Sequence, residues 1–225
     1  MVLKLYVDLL SQPARALALF VKKANIPHEL KIVSIMKGEH KTQEYIDNVH
    51  PFGKIPAIDD NGFKMIESIA IIRYLARKYN VDDHWYPKDI EKQARVDEFL
   101  EWQHMSERIP LSLFFLNTYL KPMLTGKKLD DNRLQKYKSQ MEDSLNDIEN
   151  VWLKDSQYLV GNEISVADLV GISEIEQPRI SNYDVTAGRP RIAAWMKRVQ
   201  NDLQPHYDDV FKILNKLASK NASKL

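Results

Sequence analysis

The sequence predicts an α/β domain followed by an all-α domain. Three observations carry that expectation. Strand-like and helix-like patterns alternate over the first 80 residues, and the chain from about residue 90 onward reads as helix. Glycine is scarce, 7 residues of 225, roughly half of ordinary usage, which leaves few tight turns. The expected boundaries are 1–80 for the first domain, 81–90 for a linker and 91–225 for the helical domain.

The first element is VLKLYVD, which alternates as a short strand. Residues 14–24 are apolar nearly all round, interrupted by Arg15, Lys22 and Lys23, as in a helix buried on more than one side. Ile26 precedes Pro27, which pushes it out of the helical region, so the helix stops there. HELKIVSI reads as a second strand, and MKGEHKTQEYIDNVHP as a polar stretch of weak helical character. In KIPAIDDNGFKMIES, two apolar runs flank Asn61-Gly62, a two-residue hairpin turn with positive φ at both positions. Ser68 is expected to cap the next helix, striped by Ile72, Leu75, Ala76 and Tyr79, with Arg77 and Lys78 at its C-terminal end. The order is β-α-β-(α)-β-β-α.

Beyond the linker, Leu134, Tyr137, Met141, Leu145, Ile148 and Trp152 fall on one face of a helix. NEISVADLVGI carries a capping box, with Ser165 at the N-cap and Asp168 three residues on, and Ile164 and Leu169 as its hydrophobic staple. These two polar residues are expected to be structural. Pro190 opens a helix continued by Ile192, Trp195, Met196 and Val199. The last helix uses Tyr207, Val210, Phe211, Leu214 and Leu217. There is no internal repeat.

Composition narrows the function. With 32 basic and 31 acidic residues the formal charge is +1, which argues against nucleic-acid or membrane binding through bulk charge. There is no cysteine, so disulfides, thiolate metal sites and a protein thiol nucleophile are excluded. Any sulfur chemistry must come from a ligand. The six histidines show no metal-ligand spacing, and no metal is expected. MVLKLYVDLL is short and carries Lys4 and Asp8, unlike a signal peptide, and no run of 18 apolar residues predicts a membrane span.

The chemistry centres on Ser11-Gln12-Pro13, where strand becomes helix. A helix start leaves backbone N–H groups unpaired and favours an anion. Ser11 can add a hydroxyl donor there, or it can simply be the N-cap, with Pro13 in the first turn. A hydrolase serine is the weaker reading, because no G-x-S-x-G elbow or coupled base is visible. Pro56 opens a strand, which makes sense if the Ile55–Pro56 bond is cis and turns the backbone of Ile55 outward to pair with a peptide ligand. Glu67 and Ser68 at a helix start suit the ammonium and carboxylate of an amino-acid head group. His40 and Lys54 suit a second carboxylate, although each taken alone is more often a solvated surface residue. Together they describe a slot for a small zwitterionic peptide whose thiol lies near Ser11.

The chain resembles a glutathione transferase, most closely of the theta class. The resemblance spans nearly the whole chain through LYVDLLSQPARA, IMKGEHKTQEY, GKIPAIDDNGF, ESIAIIRYLARKY, WYPKD, ARVDEFLEWQH and ISVADL, in order. It implies a thioredoxin-like βαβ-ββα first domain and an all-helical second domain that contributes the hydrophobic substrate site. It implies glutathione as co-substrate and a homodimer in the cytoplasm, with a role in detoxification. By resemblance, Ser11 stabilises the thiolate, His40 and Lys54 face the glycine carboxylate, Ile55 pairs with the cysteinyl backbone beside a cis Pro56, and Glu67 and Ser68 hold the γ-glutamyl group. Gln12 is a further candidate at that end of the ligand. The second substrate is expected to be a small hydrophobic electrophile, conjugated or, for a peroxide, reduced. Leu10, Met105, Arg108, Ile109, Leu113 and Phe114 are the candidates to line its pocket.

Many vertebrate theta-like chains carry a longer C-terminus that covers the active site, so a more open pocket is expected here. The competing function is a non-catalytic transferase-like ligand carrier or adaptor domain. Ser11 together with the Lys54-Ile55-Pro56 and Glu67-Ser68 sets argues against it. The C-terminal Ser223-Lys224-Leu225 matches a peroxisomal import address read by a receptor, or ends a basic tail by accident.

Overall fold

A computed structural model describes residues 2–222. Strand β1 (Leu3–Val7) lies inside a four-stranded sheet of order β2-β1-β3-β4. It runs parallel to β2 (His28–Ile32), with Leu3 opposite His28 and Val7 opposite Ile32. On its other side it runs antiparallel to β3 (Ala57–Asp60), with Tyr6 opposite Ala57. Strand β4 (Phe63–Ile66) closes the hairpin. Its turn uses Asn61 and Gly62 at φ 56° and 93°, as the sequence requires.

Helix α1 (Gln12–Lys23) buries every residue from Gln12 to Val21. One side packs on α3 (Ser68–Lys78), the other on α8 (Val166–Ile175) and α10 (His206–Ala222) of the helical half. A helix enclosed in this way needs apolar residues all round. Its C-cap is Ala24, and Asn25 turns the chain away at φ 52°. The polar stretch after β2 forms a short 3-10 turn at Glu39–Lys41 and helix α2 (Gln43–Asn48).

The cap of α3 lies one residue earlier than expected. Ser68 is already the first helical residue, and Glu67 occupies the cap with φ 67°. A non-glycine residue with positive φ is uncommon and tends to mark a functional site. The bend lets β4 turn directly into α3, leaving no room for an extended capping serine.

The helical half begins with α4 (Ile90–Gln103), α5 (Ile109–Phe115) and α6 (Lys121–Thr125), joined by two wide π turns at His104–Arg108 and Leu116–Leu120. Pro110 and Pro122 follow these turns. Proline has no N–H to donate and its ring crowds the carbonyl four residues back, so a widened turn accommodates it. Helix α7 (Asp131–Asp147) ends in a third such turn. Helix α9 (Pro190–Asp202) starts at its proline. The Ser165–Asp168 capping box at α8 forms as expected. Burial pushes the Asp168 carboxyl up to about 6, against four donated hydrogen bonds that favour its charge. Ser223-Lys224-Leu225 lies outside the described residues. Among the described residues no helix is long and apolar enough to cross a membrane.

Candidate active site

Two cavities meet where the N-terminal sheet faces the α4–α5 arm. The first, about 160 Å³, is a polar slot lined by Pro13, His50, Lys54, Ile55, Pro56, Glu67, Ser68, His104 and Arg108. The second, about 350 Å³, is mostly apolar and lined by Leu10, Ser11, Gln12, Ile35, Arg108, Ile109, Ser112, Phe115, Leu116 and Leu120. Arg108 belongs to both walls.

Ser11 occupies the N-cap of α1 with extended backbone, φ −80° and ψ 126°, but its side chain makes no capping hydrogen bond. The backbone alone closes this corner. Ser11 N–H donates to Asp8 C=O at 2.9 Å, and the first helical bond runs from Arg15 N–H to Ser11 C=O at 3.1 Å. The hydroxyl therefore stays available on the cavity wall. Asp8 fixes the strand end from below, its carboxylate accepting from Leu10 N–H at 2.9 Å and Ile35 N–H at 2.8 Å.

The polar slot is assembled from three elements. The Ile55–Pro56 bond is cis, and Ile55 stands just before the β3 register, which begins at Ala57. Tyr45 of α2 donates its hydroxyl to Lys54 C=O at 3.0 Å, and Lys41 Nζ donates to Gly53 C=O at 2.7 Å. Both bonds pin the loop that carries Lys54 and Ile55. Glu67 and Ser68 face the slot from the start of α3.

Several expected residues fall elsewhere. His40 is not among the residues lining the slot. Burial and the neighbouring Lys41 hold its imidazole below the ordinary histidine range. His50 and His104, which periodicity does not single out, line the slot instead. Desolvation pulls His50 down as well. Gln12 is buried and lies on the apolar side, donating to Ser112 Oγ at 3.2 Å. Met105 is 71% exposed and lines neither cavity. Leu113 and Phe114 also miss the wall, Phe114 packing edge-on against Tyr183. Ser112, Phe115, Leu116 and Leu120 take their place. The wide turns on either side of α5 add residues per turn and rotate the face that a 3.6-residue period would select. Leu10, Arg108 and Ile109 are where they were expected.

Arg108 Nη1 is held at 2.9 Å by the Glu174 carboxylate, which is 1% exposed. No group of three or more metal-ligating side chains occurs among the described residues. The arrangement is thus a polar slot and an apolar chamber that share Arg108 as a wall, with Ser11 at a helix N-terminus on the chamber side.

Residues 1–77 match the family model of the glutathione S-transferase N-terminal domain, and residues 115–202 that of the C-terminal domain. The chain belongs to the glutathione S-transferase family. This transferase is 42% identical over 200 residues to glutathione S-transferase theta-1 of Rattus norvegicus, covering 89% of this chain and 83% of that one. It is 36% identical over 223 residues to human theta-2B, covering 97% and 91%. Apo human glutathione-S-transferase T1-1 superposes with a TM-score of 0.92 at 37% identity, covering 96% of this chain and 91% of its own. A human theta-class transferase in complex with the glutathione conjugate of 1-menaphthyl sulfate gives 0.88 at 35% identity, covering 98% and 92%. These relatives place the transferase in the theta class, with a thioredoxin-like N-terminal domain and a helical C-terminal domain.

Proposed function

We propose that Ser11 ionises the thiol of glutathione and that the thiolate is joined to small hydrophobic electrophiles in the apolar chamber. The observation that carries this is the free Ser11 hydroxyl at the N-terminus of α1, on the wall of the apolar chamber whose Arg108 also lines the slot. In this reading Glu67 and Ser68 hold the γ-glutamyl end, Ile55 pairs with the cysteinyl backbone, and Lys54 faces the glycine carboxylate. The human theta-2 structure solved with glutathione supports the co-substrate.

The magnitudes are sufficient. A free thiol ionises near pH 8.5, and lowering that by two units takes about 2.7 kcal/mol. A hydroxyl donor to a charged sulfur supplies about 1.5–3 kcal/mol, and a helix start up to about 2 kcal/mol in a partly buried site. No general base at Ser11 is required. The thiolate then displaces a leaving group from carbon or adds to a conjugated system. The same thiolate can attack a peroxide oxygen, a side activity that belongs to this reading, as do cytoplasmic residence and a detoxifying role.

The test is the ultraviolet thiolate absorbance of bound glutathione, titrated with pH. The wild type should ionise the thiol well below pH 8.5, and Ser11→Ala should lose most of that shift. If glutathione binds with an unshifted thiol in the wild type, the protein is a carrier and the serine only a helix cap.

A homodimer also belongs to this reading. Phe52 and Phe63 on the N-terminal domain are 65% and 52% exposed, and Met105 on the helical arm 71%. Sedimentation should give twice the 26.2 kDa of one chain, and Phe52→Ser should shift the balance toward monomer.

A further inference from the structure

A third cavity, about 420 Å³, lies between helix α9 and the loop that follows α7. It shares no lining residue with the slot or the chamber. Three basic side chains line it, Lys154 from the loop and Arg191 and Arg198 from α9. Asp155 is the single acid among the described residues on its wall. Lysine and arginine keep their charge across the physiological range. The cavity is therefore positive, and the reaction at Ser11 makes no use of it.

Helix α9 sets the two arginines. They stand seven residues apart, two turns of helix, so both project from one face roughly 10 Å apart along the axis. Ala194 and Trp195 lie between them and also line the cavity. Ala194 is too small to fill the space between the two long side chains. Trp195 is 1% exposed and its Nε1–H is committed to Asp168. It forms part of the floor and offers no ring face on which a base could stack.

Both guanidiniums are held in place. Glu149, 5% exposed, accepts from the backbone N–H groups of Arg191 and Ile192 at 3.0 and 2.8 Å, and its carboxylate lies 3.6 Å from Arg191 Nη1. Arg198 Nη1 donates to Gln157 C=O, and its guanidinium lies over the Tyr158 ring, 5.5 Å from the centroid. A guanidinium has five N–H donors, so each arginine keeps several for a ligand. Donors that are already ordered lose little entropy on binding.

We propose that this cavity binds a small molecule through a chain of two or more phosphate groups, gripped by Arg191 and Arg198 with Lys154 as a third charge. The planar fork of arginine matches phosphate oxygens in pairs. Two forks set along two turns of helix suit a ligand with more than one anionic group. Ser156 and Asn162, on the same wall, add polar groups for its oxygens. Without an exposed aromatic face, the site reads the phosphate chain and not the group attached to it.

Titration calorimetry of the full protein with inorganic triphosphate tests this, with ATP, orthophosphate and a polyglutamate peptide for comparison. Triphosphate and ATP should bind alike, and orthophosphate at least about tenfold more weakly. Arg191→Gln and Arg198→Gln should each weaken triphosphate about tenfold or more, as loss of a charge-assisted hydrogen bond does. Lys154→Gln changes an exposed side chain and disturbs neither held guanidinium, so its smaller loss of affinity is read on an intact fold. Affinity should fall as salt rises. A wild type that does not bind triphosphate at millimolar concentration overturns the proposal. So does triphosphate binding that survives unchanged in Arg191→Gln/Arg198→Gln. Polyglutamate binding as tightly as triphosphate also overturns it, and would make the cavity a docking site for acidic protein segments.

Discussion

Glu107 makes stability depend on pH in a direction opposite to that of an ordinary paired carboxylate. Its folded-state proton affinity is raised by burial and by Glu174, whereas in the unfolded chain it ionises near pH 4.3. As pH climbs above that value the unfolded state gives up a proton that the folded state keeps, so stability falls until the folded carboxyl titrates as well. Glu107→Leu removes this slope along with a buried group that has no partner. The variant should be more stable than the wild type, with an advantage that grows with pH above the unfolded carboxyl's range until the folded carboxyl itself titrates, by up to about 1.4 kcal/mol per unit. Urea unfolding at several pH values measures it, and a constant difference would mean that the carboxyl titrates normally. At this scale Ser11, Glu67 and Ser68 were legible because their neighbours in sequence define a helix start. Glu107 was not, because what makes it unusual is the absence of partners, which no local pattern encodes.

Local signals specify the elements well where the physics is local. The capping box at α8 forms from four consecutive residues, as read. What the sequence does not show is that Asp168 also accepts from Leu159 N–H at 2.9 Å and Trp195 Nε1–H at 2.8 Å. The cap of one helix thereby ties down a loop and a second helix. The loop before β3 depends in a similar way on Gly53, whose φ is +55° and where an added Cβ would stand 2.8 Å from the backbone oxygen of His40. Gly53→Ala should destabilise the protein by about 1–2 kcal/mol through left-handed strain. It should also weaken glutathione binding, because the displaced segment carries Lys54 and Ile55. Calorimetric titration with glutathione checks this, and unchanged affinity would show that the loop does not form the slot. The face of α5 was misread for a related reason: the wide turns beside it break the 3.6-residue period on which the expected lining of Met105, Leu113 and Phe114 was based.

Across the whole molecule, Arg15 joins the two halves. From α1 it donates to the carbonyls of Leu9 and Leu10 at 2.9 and 3.1 Å, and across the boundary to Ser173 C=O at 2.8 Å and Gln177 Oε1 at 2.5 Å. Its guanidinium also lies over the Phe211 ring, 5.2 Å from the centroid. Burial draws its pKa down to about 10, against the charges of Glu174 and Glu176. Arg15→Ala should cost about 3–5 kcal/mol, as removal of one partner from a buried charged network does. It should also split thermal unfolding into two steps, since the halves lose their shared pin. A single transition with a small shift would show that apolar packing of α1 against α8 and α10 suffices. The sequence by itself determined the order of strands and helices, the hairpin, the capping box of α8 and the turn that presents Ser11, because these follow from steric and hydrogen-bonding rules among residues a few positions apart. Only the tertiary structure decided that Gln12 meets Ser112, that Arg15 reaches Gln177, and that Glu107 and Glu174 lie buried behind Arg108. Those contacts join residues tens to more than a hundred positions apart, and the burial that gives them their energies exists only once the two halves have packed.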